Sequence, residues 1–116
     1  SLAIVDYALR RRFRFISLKP NFNKNFYNFL ILKGFSRDFL QSIISKINLL
    51  NEKIKNDKNL GEGFQIGHSF FCTNSLNKSE NEWFEDIVKY EIAPLLEEYW
   101  FDDVEKAQNE INFLLA

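Results

Sequence analysis

Arginines are concentrated near the start of the sequence, where Arg10, Arg11 and Arg12 are consecutive and Arg14 follows two residues later. A guanidinium group stays charged, and its fork of N–H donors fits the oxygens of a phosphate. Mounted on a neighbouring subunit, such a group can neutralise the charge that develops during phosphoryl transfer. The same side chains could contact the phosphate backbone of a nucleic acid or form an ordinary solvated face. The residue types alone leave these interpretations open.

The segment GHSFFC places His68, Ser69 and Cys72 close together. Adjacent residues of an extended segment point to opposite faces, which disfavours a nucleophile and base made of Ser69 and His68. One histidine and one cysteine are too few ligands for a typical metal site, so none is predicted. We predict instead that His68 is structural or adjacent to a nucleotide, and that Cys72 is a small buried side chain.

Composition restricts the function classes further. The chain has 116 residues, a net charge of -1 and one cysteine, so it has the length of one domain and cannot form an internal disulfide. A reducing, cytoplasmic setting fits, and no apolar stretch reaches the roughly 18 residues that span a bilayer. The sequence contains no G-x-x-x-x-G-K-[ST] phosphate loop and no G-x-G-x-x-G turn. It begins with serine, so we expect it to be part of a longer protein.

The elements that must position these residues are mainly helical. Strand formers over 13–18 predict one short β-strand, which Pro20 ends. A first helix is predicted with Asn21 as its N-cap and Gly34 just past its end, and a longer helix with Ser36 as its N-cap. The longer helix has an apolar stripe at helical spacing. The stripe consists of Phe39, Leu40, Ile43, Ile44, Ile47, Leu50 and Ile54.

The second half of the chain shows similar signals. Residues 64–71 read as a short extended segment and turn, and Ser79 with Glu82 forms a capping box for the next helix. Pro94 lies inside that helical pattern, so a kink or break is predicted just before it. A second capping box at Asp102 begins the last helix. The aromatic residues recur at helical spacing, which favours a packed core over a surface for stacking bases.

Some longer blocks of sequence resemble a known family. They read LAIVDYALRRRFRFISLKP, LGEGFQIGHSFF and YEIAPLLEEYWFDD. Their residues and order are similar to the C-terminal part of AAA+ ATPases of the McrB type, the GTP-dependent motor subunits of modified-cytosine restriction systems. The resemblance covers nearly the whole chain.

The resemblance implies that residues 1–19 are the end of an α/β core, with an arginine-finger segment and the last strand, and that 20–116 are the helical lid. In the family, the phosphate-binding loop, the acidic magnesium-holding motif and the Asn-Thr-Ala-Asp sensor all precede this part. This chain alone is therefore not expected to hydrolyse nucleotide or to hold a cofactor, whereas the intact protein would use GTP or ATP with magnesium. A flexible joint is expected at 19–23.

Roles for individual residues also follow from the resemblance. Arg11 and Arg12 are the first candidates for the finger, Arg10 is a lesser one, and Asp6 lies in the turn that presents them. The residues expected in the wall of the nucleotide pocket are Gly67, His68 and Ser69.

The implied partners are identical AAA+ subunits in a ring and an endonuclease subunit, with DNA bound through other domains and no membrane. Two alternatives remain from the residues alone. The chain could be a free-standing helical domain that binds nucleic acid through 10–14, or an interaction module whose exposed EYWF aromatics, including Trp100, engage a partner.

Overall fold

A computed structural model describes residues 24–72 and 78–116 of the chain. The regular elements are α1 (Lys24–Leu32), α2 (Arg37–Lys55), 3₁₀ helices at Glu62–Phe64 and His68–Phe71, α3 (Glu80–Ile87), a π-helical segment (Val88–Ile92), α4 (Ala93–Tyr99) and α5 (Val104–Leu115). These ranges contain no strand, and they confirm a mainly α-helical bundle. The strand over 13–18, the cap at Asn21, the joint at 19–23 and the boundary after residue 19 lie outside the described residues.

The turn from α1 to α2 follows the sequence signals closely. Gly34 has a φ of 103°, a left-handed conformation that favours glycine, and its N–H donates to the Ile31 carbonyl at 3.0 Å. Ser36 caps α2, because its Oγ accepts from the Phe39 N–H at 3.3 Å. The carboxylate of Glu80 accepts from both the N–H and the hydroxyl of Ser36. The first turn of α3 is thereby tied to the start of α2.

The predicted apolar stripe of α2 forms much of the core. Burying such side chains removes apolar surface from water and is the main stabilising term of folding. The stripe residues that are buried are Leu40, Ile43, Ile47, Leu50 and Ile54, while Phe39 and Ile44 are partly buried against them.

Pro94 changes the geometry of the helix that precedes it. Because proline has no N–H, the Tyr90 carbonyl four residues back lacks its usual helical donor. The helix widens there into a π-helical segment, Val88–Ile92. The N–H of Ala93 donates to the Val88 carbonyl, five residues back. The predicted irregularity before Pro94 is confirmed, and its form is a widened turn rather than a break.

The last helix begins one residue later than its capping-box signal predicts. The N-cap is Asp103, whose Oδ1 accepts from the Lys106 N–H at 3.1 Å. Asp102 lies inside the preceding turn, which the Asp103 N–H closes by donating to the Trp100 carbonyl at 2.9 Å. A turn fixed by that bond leaves Asp103, not Asp102, as the last non-helical residue.

The aromatic residues mainly belong to the core, as predicted. Trp83 is 5% exposed, and its ring centroid lies 4.4 Å from that of Phe35 and 6.1 Å from that of Phe71. The expectation of exposed EYWF aromatics is wrong for Tyr99 and Trp100, which are 8% and 4% exposed, and the Trp100 Nε1–H donates to Asp57 Oδ2 at 2.8 Å. Phe101 next to it is 75% exposed.

Asp57 makes the stability of the bundle depend on pH in the acidic range. The Trp100 hydrogen bond, then the Asn59 N–H, hold the pKa of Asp57 below its ordinary value of 3.8. A carboxylate with a lowered pKa in the folded state stabilises the fold above its unfolded pKa, and this contribution is lost as pH falls through the folded value. We expect the free energy of unfolding to fall with acidification below pH 3.8 and to fall less steeply in Asp57→Asn. Urea unfolding at a series of pH values measures both slopes. Equal slopes in the two proteins would contradict the assignment.

Cys72 does not take its predicted buried position. The 3₁₀ helix His68–Phe71 buries Phe71 and ends there, which leaves Cys72 exposed with its Sγ 3.5 Å from the His68 carbonyl. Over 24–72 and 78–116, no helix combines the length and apolar character needed to cross a membrane.

Candidate functional site

The residues predicted to border a nucleotide lie in one irregular segment, residues 61–72, called here the 61–72 loop. It starts at Gly61, which has a φ of 111° and donates its N–H to the Ile54 carbonyl at 3.0 Å. The extended segment predicted over 64–71 is wrong for most of its length, because 3₁₀ helices occupy Glu62–Phe64 and His68–Phe71. Tertiary hydrogen bonds from α2 and α4 hold the loop in this folded form.

Asn51 of α2 makes the most specific of these bonds. Its Nδ2 donates to the Ile66 carbonyl at 2.9 Å, and its Oδ1 accepts from the Ile66 N–H at 2.6 Å. Asn51 is 3% exposed and Ile66 is 0% exposed, so the paired groups are shielded from water. The carboxamide thus satisfies both backbone groups of Ile66, which would otherwise be buried without partners.

Two further contacts secure the same stretch. The hydroxyl of Tyr99 in α4 donates to the Phe64 carbonyl at 2.7 Å, and burial raises the pKa of the Tyr99 phenol, which keeps it protonated as a donor. Gln65 Nε2 donates to the Asn51 carbonyl at 3.3 Å. The chain from Phe64 to Ile66 is therefore held between α2 and α4.

Gly67, His68 and Ser69 follow directly and form the first turn of the second 3₁₀ helix. Gly67 and His68 are half-buried and Ser69 is exposed. The His68 ring meets the Phe26 ring of α1 edge to face, with 5.7 Å between centroids. Gly67 has a φ of -87°, which any residue adopts, and a Cβ there would meet Ser69 Oγ only at 3.9 Å. Neither backbone strain nor crowding within the chain requires glycine at this position.

The predicted site is thus brought together only in part. Gly67, His68 and Ser69 lie in one anchored turn, while Asp6 and 10–12 lie outside the described residues. No group of three or more His, Cys, Asp or Glu side chains suited to a metal ion occurs in the parts of the chain that the structure describes. The turn offers an imidazole, an exposed hydroxyl and backbone groups on a fixed frame, which suits contact with a ligand.

Sequence reasoning missed Asn51 and the hydroxyl of Tyr99. Asn51 interrupts the buried stripe of α2, since Ile47, Leu50 and Ile54 on the same face are at most 1% exposed. A polar residue on an otherwise apolar face needs a buried partner, and that signal was available in the sequence. The identity of the partner was not.

The fold places the chain in a class, the small helical domains, and its 61–72 loop is anchored to α2 and α4 by hydrogen bonds. Residues 42–108 match the family described as McrB, alpha-helical lid domain, and the chain belongs to this family. It is also 48% identical over 120 residues to the Type IV methyl-directed restriction enzyme EcoKMcrB subunit of Escherichia coli (strain K12). That similarity covers 100% of this chain but 26% of the relative, so the chain corresponds to about a quarter of that protein.

Proposed function

We propose that this chain is the nucleotide-sensing lid and arginine-finger part of an AAA+ motor, driven by GTP or ATP, in a methyl-directed DNA restriction system. The observation that carries the proposal is the match to the McrB lid family, together with similarity along the whole chain to a methyl-directed restriction enzyme subunit. The finger is assigned to Arg11 and Arg12, with Arg10 as a lesser candidate. The turn that contains Asp6 would present these arginines.

The chain's own residues have two tasks in this proposal. Gly67, His68 and Ser69 border the nucleotide bound by their own subunit, and the contacts to α2 and α4 transmit that occupancy to the bundle. The arginines act on the nucleotide of the neighbouring subunit. Magnesium and the groups that activate water belong to other parts of the intact protein, which bring the chemistry of phosphoryl transfer.

An arginine that acts on the nucleotide of a neighbouring subunit requires the subunits to assemble. We propose a ring of identical subunits in the cytoplasm, with residues 1–19 completing the α/β core and 20–116 forming the lid. An endonuclease subunit would be activated by the motor, and DNA would be bound through other domains.

The contact between the loop and the nucleotide is tested by His68→Ala and Ser69→Ala in the full-length protein. We expect the dissociation constant for GTP or ATP to rise about tenfold in His68→Ala and by a few-fold in Ser69→Ala, because each removes one ligand contact. Titration with fluorescent analogues of both nucleotides measures this. Ser45→Ala, an exposed serine of α2, is the matched control and should bind as the wild type does. Unchanged binding in both loop variants would contradict a nucleotide-adjacent loop.

A further inference from the structure

Asn51 occupies a buried position where an apolar side chain would contribute more to the hydrophobic stability of the core. Its neighbours on the same face of α2 are Leu50 and Ile54, both 0% exposed, whereas the Asn51 carboxamide must lose its water on folding. A buried amide is tolerated when its donor and acceptor are both satisfied. Both of its hydrogen bonds go to a single residue, Ile66. Such an arrangement contributes to the position of the bonded segment more than to the burial of apolar surface.

The bonds of Asn51 fix the backbone immediately before the predicted ligand-contacting turn. Ile66 is held at its N–H and its carbonyl, at 2.6 and 2.9 Å, so its peptide groups cannot rotate without breaking one of them. Gly67 is the next residue and begins the 3₁₀ helix His68–Phe71. The orientation of the 3₁₀ helix His68–Phe71 relative to α2 is therefore set by the backbone of Ile66.

The other anchors described above act at different points of the chain. Tyr99 binds the carbonyl of Phe64, which is two residues further from the turn. The Phe26 ring packs on the side chain of His68, two residues after Ile66. Gln65 binds the carbonyl of Asn51 itself, so it strengthens the same junction.

We propose that Asn51 is a positioning residue that sets the nucleotide affinity of this lid by holding Gly67, His68 and Ser69 at the correct place relative to α2. This inference rests on the proposed function, in which that turn borders GTP or ATP. Asn51 acts through the Ile66 backbone and has no contact with the reacting atoms. Its loss should raise KM and the dissociation constant for nucleotide and leave kcat nearly unchanged.

The test uses Asn51→Leu and Asn51→Asp in the full-length protein. The leucine variant keeps the size of the side chain and removes both bonds, whereas the aspartate variant keeps the acceptor for the Ile66 N–H and loses the donor. We expect the KM for nucleotide to rise about tenfold or more in Asn51→Leu, with kcat within about twofold, since misplacing binding groups weakens binding steeply. A rise at least as large is expected in Asn51→Asp, because the carboxylate oxygen that replaces Nδ2 would be buried facing the Ile66 carbonyl.

A matched control separates positioning from general loss of stability. Glu110→Gln removes the charge of a buried carboxylate, whose Oε2 lies 2.9 Å from the Nζ of the half-exposed Lys53, and this ion pair joins α5 to the same helix α2. The variant loosens the bundle without touching the 61–72 loop. It should lower Tm and leave the KM for nucleotide unchanged. Hydrogen exchange at the Ile66 and Gly67 amides should quicken in Asn51→Leu and not in Glu110→Gln.

The outcomes distinguish the inference from the function on which it rests. If Asn51→Leu raises KM no more than Glu110→Gln does, Asn51 is merely structural and the inference is overturned. If His68→Ala still weakens nucleotide binding in that case, the proposed function stands. If Asn51→Leu weakens binding while His68→Ala and Ser69→Ala do not, the effect does not pass through the turn, and both the inference and the nucleotide-adjacent loop are overturned. Should Asn51→Leu not fold, the KM of Asn51→Ala, which also removes both bonds and is small and uncharged, decides by the same comparison.

Discussion

Arg11→Ala in the full-length protein is expected to lower the rate of nucleotide hydrolysis by about 10³-fold or more, the usual contribution of an arginine finger. The guanidinium stabilises charge that develops only in the transition state, so its loss should reduce kcat and change the nucleotide dissociation constant little. Arg12→Ala should have a comparable effect and Arg10→Ala a smaller one. Steady-state hydrolysis of GTP and ATP, with binding measured separately, provides both quantities.

Control variants at arginine positions make this result specific. Arg37→Ala replaces an exposed arginine in the first turn of α2 and should leave hydrolysis unchanged. Arg11→Lys keeps the charge but loses the planar fork of donors, so it should restore little of the rate. Hydrolysis at the wild-type rate in both Arg11→Ala and Arg12→Ala would refute the finger assignment.

Trp83→Ala is expected to cost about 3–5 kcal/mol of the free energy of unfolding, the range for removing a large buried aromatic side chain. The Trp83 ring contacts Phe35 just before α2 and Phe71 at the end of the 61–72 loop, so it joins three parts of the bundle. Since small domains are stable by only about 5–15 kcal/mol, this loss leaves little margin. Urea unfolding followed by circular dichroism measures it.

Tyr90→Ala is the matched control for the tryptophan. Tyr90 lies in the π-helical segment and is 75% exposed, so its removal should change the free energy of unfolding by no more than about 0.5 kcal/mol. A cost for Trp83→Ala as small as that of Tyr90→Ala would mean that the aromatic cluster does not hold the elements together.

Local signals were sufficient for much of the helical framework. Ser36 and Ser79 cap the helices that their sequence context predicts, because a cap depends on a hydroxyl and an amide a few residues apart. Pro94 located the irregular turn for an equally local reason, the loss of one donor. Local signals did not predict whether the helix would widen into a π turn or break at this point. The π turn keeps Val88 and Ile92 fully buried in the core, so tertiary packing favours it.

The conformation of the 61–72 loop could not be predicted from its own residues. Its folded form depends on Asn51, 15 positions from Ile66, and on Tyr99, 35 positions from Phe64. Strand-forming residues in the loop suggested an extended chain, and tertiary hydrogen bonds overrode that preference. The candidate roles of Gly67, His68 and Ser69 came from a family resemblance, and the physical frame that supports them came from the structure.

Action of Arg11 on a neighbouring subunit is tested most directly by mixing two inactive forms of the full-length protein. One form carries Arg11→Ala with an intact phosphate-binding loop, and the other keeps Arg11 but carries a defective phosphate-binding loop. In a mixed ring, an intact loop can face an intact Arg11 across a subunit boundary, so hydrolysis is expected to recover to a substantial fraction of the wild-type rate. If the mixture stays as inactive as its two components under conditions where mixed rings form, Arg11 does not act in trans, and the proposed role of this chain in the motor is contradicted.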